Sequence, residues 1–138
     1  MFKILAIGNS FSEDATQYLC DIASAGGKDM FVANMHIGGC SLERHVKELN
    51  SNSNAHTLAI NGKNIRPAIL SEEIKAYDWD IITVQQVSHK SGIWDSYEPY
   101  LSELVSFIRK YNPAAKIYFH KTWAYDVTST HSGFANYG

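Results

Sequence analysis

At 138 residues the chain has room for one hydrophobic core, which disfavours two domains and points to a single domain over residues 1–138. Its 45% hydrophobic, 12% aromatic and 19% charged composition supplies enough apolar surface to offset chain ordering, and excludes a disordered or collagen-like polymer. Twelve basic against fourteen acidic residues leave a net charge of −2, so no global field recruits nucleic acid or anionic lipid, and neither is expected as a partner.

Lys3-Ile4-Leu5-Ala6-Ile7, ended by Gly8-Asn9, reads as a buried strand that runs into a turn. A helix follows, with Ala15, Tyr18, Leu19, Ile22 and Ala23 at helical spacing, Glu13 and Asp14 near its start and Gly26-Gly27 to stop it. Met30 to Met35 supplies a second strand, broken by Gly38-Gly39. Ser41 then suits the N-cap of a short helix that carries Leu42, Val46 and Leu49 on one side.

The chain turns polar from Asn50 to Asn64. There Asn61-Gly62, between Leu58-Ala59-Ile60 and Ile65, predicts a small hairpin, expected as a surface insertion. Pro67 suits the first turn of a further helix with Ile69, Leu70, Ile74 and Tyr77 inward, and Asp80 to Val84 is the most strand-like run of all. Ser96 to Tyr111 has the spacing of a long amphipathic helix ended by Asn112-Pro113, and Lys116 to His120 reads as a fourth strand.

Strands that alternate with helices predict an α/β fold, a parallel sheet with helices on both faces, because parallel neighbours need crossover connections. Ligands of such sheets bind at the carboxyl ends of the strands. That directs attention to Gly8–Ser12, His36–Ser41, Gln85–Gly92 and His120–Tyr125.

Ser10 sits on the first of these turns. A helix N-terminus there offers free backbone N–H groups, and the turn lifts a hydroxyl above the sheet, as a serine nucleophile requires. Ser10-Phe11-Ser12-Glu13 also satisfies a capping box, in which Ser10 does no more than cap the helix.

Lys3 to Ser10 resembles the first block of the SGNH hydrolases, the GDSL-type lipases and esterases, with Asn9 where the commoner motif has Asp. Asn34 to Ser41 is similar to the second block, whose glycine donates a backbone N–H to the oxyanion. The match puts that role on Gly39, ahead of Gly38. Asp78 to His89 occupies the third block, where a strand ends in a side-chain amide donor. Gln85-Gln86 departs there from the family's Gly-x-Asn-Asp pattern and looks more like a branch of the family that carries the Gly-Asn-Ser-Phe-Ser start. A glutamine amide donates as an asparagine amide does. Adjacent strand residues face opposite sides, so at most one of the pair addresses Ser10, and Gln86 is favoured over Gln85.

The resemblance implies a three-layer, doubly wound, flavodoxin-like sheet that lacks its last strand and helix, so that the domain is incomplete at its C-terminus. It also implies a small-molecule ester as substrate, such as an acyl or acetyl group on a carbohydrate. No cofactor is implied and no metal. The family's Asp-x-x-His block, which supplies the general base, has no counterpart here: none of His36, His45, His56, His89, His120 and His131 follows an Asp by three residues. A positioned base is worth ~10²–10⁴-fold, so the chain on its own is expected to be a feeble esterase. His120, at a strand end, and His131, in a polar tail, are the candidate substitutes, with Asp126 to orient either one. The rival expectation is a non-catalytic domain of the same fold that binds a sugar.

Trp94, Tyr97, Trp123 and Tyr125 could stack on a sugar ring or serve as core. An anion at the first turn would be repelled by Glu13 and Asp14. Cys20 and Cys40 are taken as reduced, and two thiols are too few for a disulfide framework or a zinc site. No apolar run approaches the ~20 residues of a membrane helix, and the N-terminus leads straight into a strand, so the default expectation is cytoplasmic, or periplasmic or secreted if an upstream signal was removed. Self-association is expected to cover the surface that the missing elements would leave bare.

Overall fold

The apolar run that opens the chain forms β1 (Phe2–Gly8) in a computed structural model that describes residues 1–122, 128 and 130. β1 lies between two parallel neighbours, β2 (Met30–His36) and β5 (Ile81–Val84), with Leu5 opposite both Ala33 and Ile82. β6 (Lys116–Phe119) pairs parallel with β5. On the far side β3 (His56–Ile60) joins β2 antiparallel and β4 (Lys63–Ala68) joins β3, which gives an open six-stranded sheet in the order β4-β3-β2-β1-β5-β6. The fold is α/β and the sheet mostly parallel. Its parallel strands run second, first, third, fourth in chain order.

The two faces follow from the alternation of side chains along each strand. Leu5, Ile7, Ala33, Met35, Ile82 and Val84 point into one core. Leu42, Val46 and Leu49 of α3 (Leu42–Ser51), Leu70 and Ile74 of α4 (Leu70–Ala76), and Leu104 and Ile108 of α5 (Tyr100–Tyr111) fill it from the other side. Asn34, whose side chain points the other way, bonds to Ser12 of α1 (Ser10–Thr16), so α1 and α2 (Leu19–Ala25) cover the opposite face of β1 and β2.

Four expectations need correction. The first helix is two: Thr16 Oγ1 bonds back to Ser12 O and Gln17 N bonds to Asp14 O, which tightens the last turn of α1 and re-aims the chain. Tyr18 and Ile22 consequently end 61% and 67% exposed instead of inward. The stop at Gly26-Gly27 is where the pattern put it, closed by Lys28 N to Ala23 O and Gly27 N to Ser24 O.

The hairpin forms around Asn61-Gly62, both at positive φ, but it is no surface insertion. It extends the main sheet, and Asn61 bonds Val32 through backbone N–H and side-chain oxygen alike. Pro67 lies in β4, not in a helix. β4 is an edge strand, where a missing N–H costs nothing, and α4 starts only at Leu70, which leaves Tyr77 exposed. The last correction is α5, which starts at Tyr100 rather than Ser96, because a residue before proline is held out of the helical region and Pro99 therefore delays the start. Trp94–Ser96 forms a separate 3-10 turn.

Candidate functional site

The carboxyl end of β1 is held by side-chain amides. Asn9, not Ser10, caps α1: its Oδ1 accepts from Phe11 N at 3.0 Å, and its Nδ2 donates to Cys40 O at 3.2 Å. Its own N–H donates to Oε1 of the fully buried Gln85 at 2.9 Å. Asn9 thereby ties the turn after β1 to the turn after β2 and to the end of β5. Gly8 permits the approach, since a Cβ there would collide with Gln85 Oε1 and Ser12 Oγ.

Ser10 is left as the first residue of α1, exposed, with no hydrogen-bond partner for its hydroxyl among the described residues. The capping-box alternative for Ser10 fails because Asn9 has taken that place. Ser12 is the structural hydroxyl, buried 2.9 Å from both Asn9 O and Asn34 Oδ1.

Gly39 occupies the turn Ile37–Cys40, closed by Cys40 N donating to Ile37 O at 3.1 Å. Its φ of +65° is one that L side chains rarely adopt, whereas Gly38 has no such need. Ile37 N donates to Gly8 O at 3.2 Å, so this turn is anchored to the end of β1. The Gly39 N–H is unengaged among the described residues.

The two glutamines part company. Gln86 Oε1 accepts from Leu42 N at 3.0 Å, at the start of α3, and from Val87 N, while Nε2 donates to Ser96 O and Oγ, each at 3.1 Å. Both of its amide protons are spent on the fold. Gln85, the less favoured choice from sequence, is the one turned towards β1, and its buried Nε2 has no partner among the described residues.

Among the histidines, His120 is half-buried beyond β6, its backbone N–H on Val84 O. His131, Asp126, Trp123 and Tyr125 lie outside the described residues. Trp94 is 84% exposed, with its ring centroid 6.0 Å from that of Tyr97, which lies 5.6 Å from Phe119. Sequence reasoning missed His36. It ends β2 with Nε2 3.0 Å from Asn64 Oδ1 and 3.3 Å from Glu13 Oε2, beside a polar cleft of about 210 Å³ lined by Glu13, Asn34 and Asn64 among others. Its place at a strand end was the available signal. The carboxylate partner comes from α1, and nothing in the spacing announces it.

Sequence reasoning also missed the surroundings of Cys40. Counting thiols left out imidazoles, and the fold brings His45 and His56 to it, with all three side chains buried. Burial pushes the Cys40 thiol up to about 12. Burial also holds His45 down to about 3, with His56 adding to the effect, and His56 down to about 4, so both rings are neutral near pH 7.

The domain is thus an open, mostly parallel α/β sheet, with an exposed serine and a glycine turn after neighbouring strands. The chain belongs to the DUF4886 family, described as a domain of unknown function, which matches residues 3–138. It is similar to the crystal structure of a DUF4886 family protein from Bacteroides uniformis ATCC 8492, at 43% identity and a TM-score of 0.89 over 99% of this chain. The match takes in 55% of that protein, so the chain spans about half the length of this solved relative. No curated protein matches the chain. Among the described residues no helix is long and apolar enough to cross a membrane.

Proposed function

We propose that this domain is an SGNH-type serine esterase acting on a small-molecule ester, such as an acyl group on a carbohydrate. The observation that carries the reading is Ser10 itself, exposed as the first residue of α1 just past the end of β1, its hydroxyl bonded to nothing among the described residues while Asn9 does the capping. The strand order supports it too, since second, first, third, fourth is how a flavodoxin-like sheet begins.

In this reading Ser10 Oγ attacks the acyl carbon and the Gly39 N–H donates to the oxyanion. The side-chain donor is Gln85 rather than Gln86, because the Gln86 amide protons are already committed to Ser96. Attack needs a base. His36, with Nε2 3.3 Å from the Glu13 carboxylate, forms a histidine–carboxylate pair at the end of β2 and joins His120 and His131 as a candidate.

A fluorophosphonate probe tests the assignment. Covalent labelling that disappears in Ser10→Ala is expected, and labelling that survives this substitution removes Ser10 from the role.

One observation favours a second reading, a sugar-binding domain without turnover. The Trp94–Tyr97–Phe119 ring series sits by the ends of β5 and β6, with Trp94 open to solvent as a stacking platform would be. Saturable binding of an acylated sugar that Ser10→Ala leaves unchanged, with no turnover of short-chain esters, would select it.

A further inference from the structure

Cys40 follows the Gly38-Gly39 turn, His45 lies one turn into α3, and His56 opens β3, so three separate elements deliver these side chains to one point in the interior. One ligand atom from each lies within 4.8 Å of the others, and all three residues have no solvent exposure. The rings of His45 and His56 stack with centroids 5.1 Å apart and planes at 22°, with His45 Nδ1 and His56 Nε2 2.9 Å from each other. The remaining ring nitrogens, His45 Nε2 and His56 Nδ1, are buried with no hydrogen-bond partner among the described residues. Among the described residues, Cys40 Sγ has only a long contact of 3.5 Å to Ser41 O.

Two imidazoles that face each other across 2.9 Å beside a buried thiol gather three potential ligand atoms at one point in the interior, an uncommon grouping for side chains so deep. The contact between the rings is one proton shared by two lone-pair nitrogens, and a cation that takes both lone pairs can replace that proton. We propose that Cys40, His45 and His56 form a binding site for a single zinc-type divalent ion.

One thiolate and two imidazoles are a borderline-soft donor set of the kind that zinc takes. Tetrahedral Zn–N bonds of about 2.0–2.1 Å need the two nitrogens about 3.3 Å apart, so the rings separate by about 0.4 Å and each swings by about 35° to aim its lone pair at the ion. On binding, the ring that donates across the contact changes tautomer, its proton moving from the inner to the outer nitrogen, so that each ring is neutral with its N–H outward, and the thiol proton is released to solvent. The balance is one proton out for one ion in. Glu48, one turn beyond His45 on α3, supplies a counter-charge that reaches both Cys40 and His56, opposed by Arg44 beside it.

The site is separate from Ser10. Its effect on that region would be mechanical, because Cys40 closes the turn that carries Gly39 and its carbonyl receives Asn9.

The test uses the whole chain, made metal-free under reductant and titrated with cobalt(II). One ion per chain is expected, with the near-ultraviolet band of thiolate-to-cobalt charge transfer. The band should persist in Cys20→Ser, vanish in Cys40→Ser, and be displaced by one equivalent of zinc. His56→Asn should weaken binding about tenfold or more, in line with the loss of a direct ligand. Absence of saturable binding, or a band that persists in Cys40→Ser, overturns the proposal. Should Cys40→Ser fail to fold, X-ray absorption of the zinc-loaded parent chain decides: one sulfur and two imidazole scatterers support the site, and a first shell of oxygen alone refutes it.

Discussion

The backbone N–H of Asn9 donates to the side-chain oxygen of Gln85 across 2.9 Å, and joins the end of the first strand to the end of the fifth. The contact exists only because position 8 has no Cβ. Gly8→Ala should therefore cost about 1–3 kcal/mol, the usual range for overpacking, and appear as a lower urea midpoint at unchanged slope. A midpoint equal to that of the parent would mean that Gln85 can move aside freely.

Asn9→Ala and Ser10→Ala should separate capping from chemistry. The first loses the cap of α1 and the bond to Cys40 O, and should cost about 0.5–2 kcal/mol or more in thermal or urea unfolding. The second removes an exposed hydroxyl with no partner among the described residues, and should fall within about 0.5 kcal/mol of the parent. Equal destabilisation by the two would return Ser10 to a structural role.

Asn112, buried just after α5, accepts from Trp79 N at 3.0 Å and donates to Ile74 O at 2.7 Å, which latches the end of α5 to α4 and to the segment between α4 and β5. Asn112→Leu leaves two buried backbone groups unanswered, at about 1–3 kcal/mol each. A loss of a few kcal/mol in denaturant unfolding is expected, with Trp79 fluorescence as a local report.

β6 has β5 as its sole strand neighbour among the described residues, and Tyr118 on it is 51% exposed with Phe119 also open. An unpaired edge with aromatic side chains favours pairing with a second copy. Light scattering at micromolar concentration should give a mass above that of the monomer, and Tyr118→Lys should lower it. A clean monomer for the parent chain would exclude self-association through this edge.

Much of the sheet was legible because β1, β2 and β5 are short apolar runs bounded by turn residues, and burial leaves such runs few alternatives. The hairpin turn was legible at Asn61-Gly62 for the same local reason. Its docking was not, because the pairing of β3 with β2 is a contact between distant segments, and a polar neighbourhood reads alike at a sheet edge and on a surface loop. Tyr18 and Ile22 kept perfect helical spacing and still ended in solvent, because the break after Thr16 depends on side-chain bonds that periodicity does not record.

The site shows the same division. That Ser10 and Gly39 lie in the turns after β1 and β2 was legible from turn chemistry. Which of Gln85 and Gln86 is tied up depends on which one meets the start of α3, and the meeting of Cys40, His45 and His56 depends on the pairing of β3 with β2.

Asn9 bonds at once to the turn after β1, the turn after β2 and the end of β5. Substitutions in those three loops will therefore not add up as independent events: a double-mutant cycle between Gln85 and Asn9 should return a sizeable interaction energy. A protein engineer who redesigns any one of these loops for a new ligand would have to choose the other two with it.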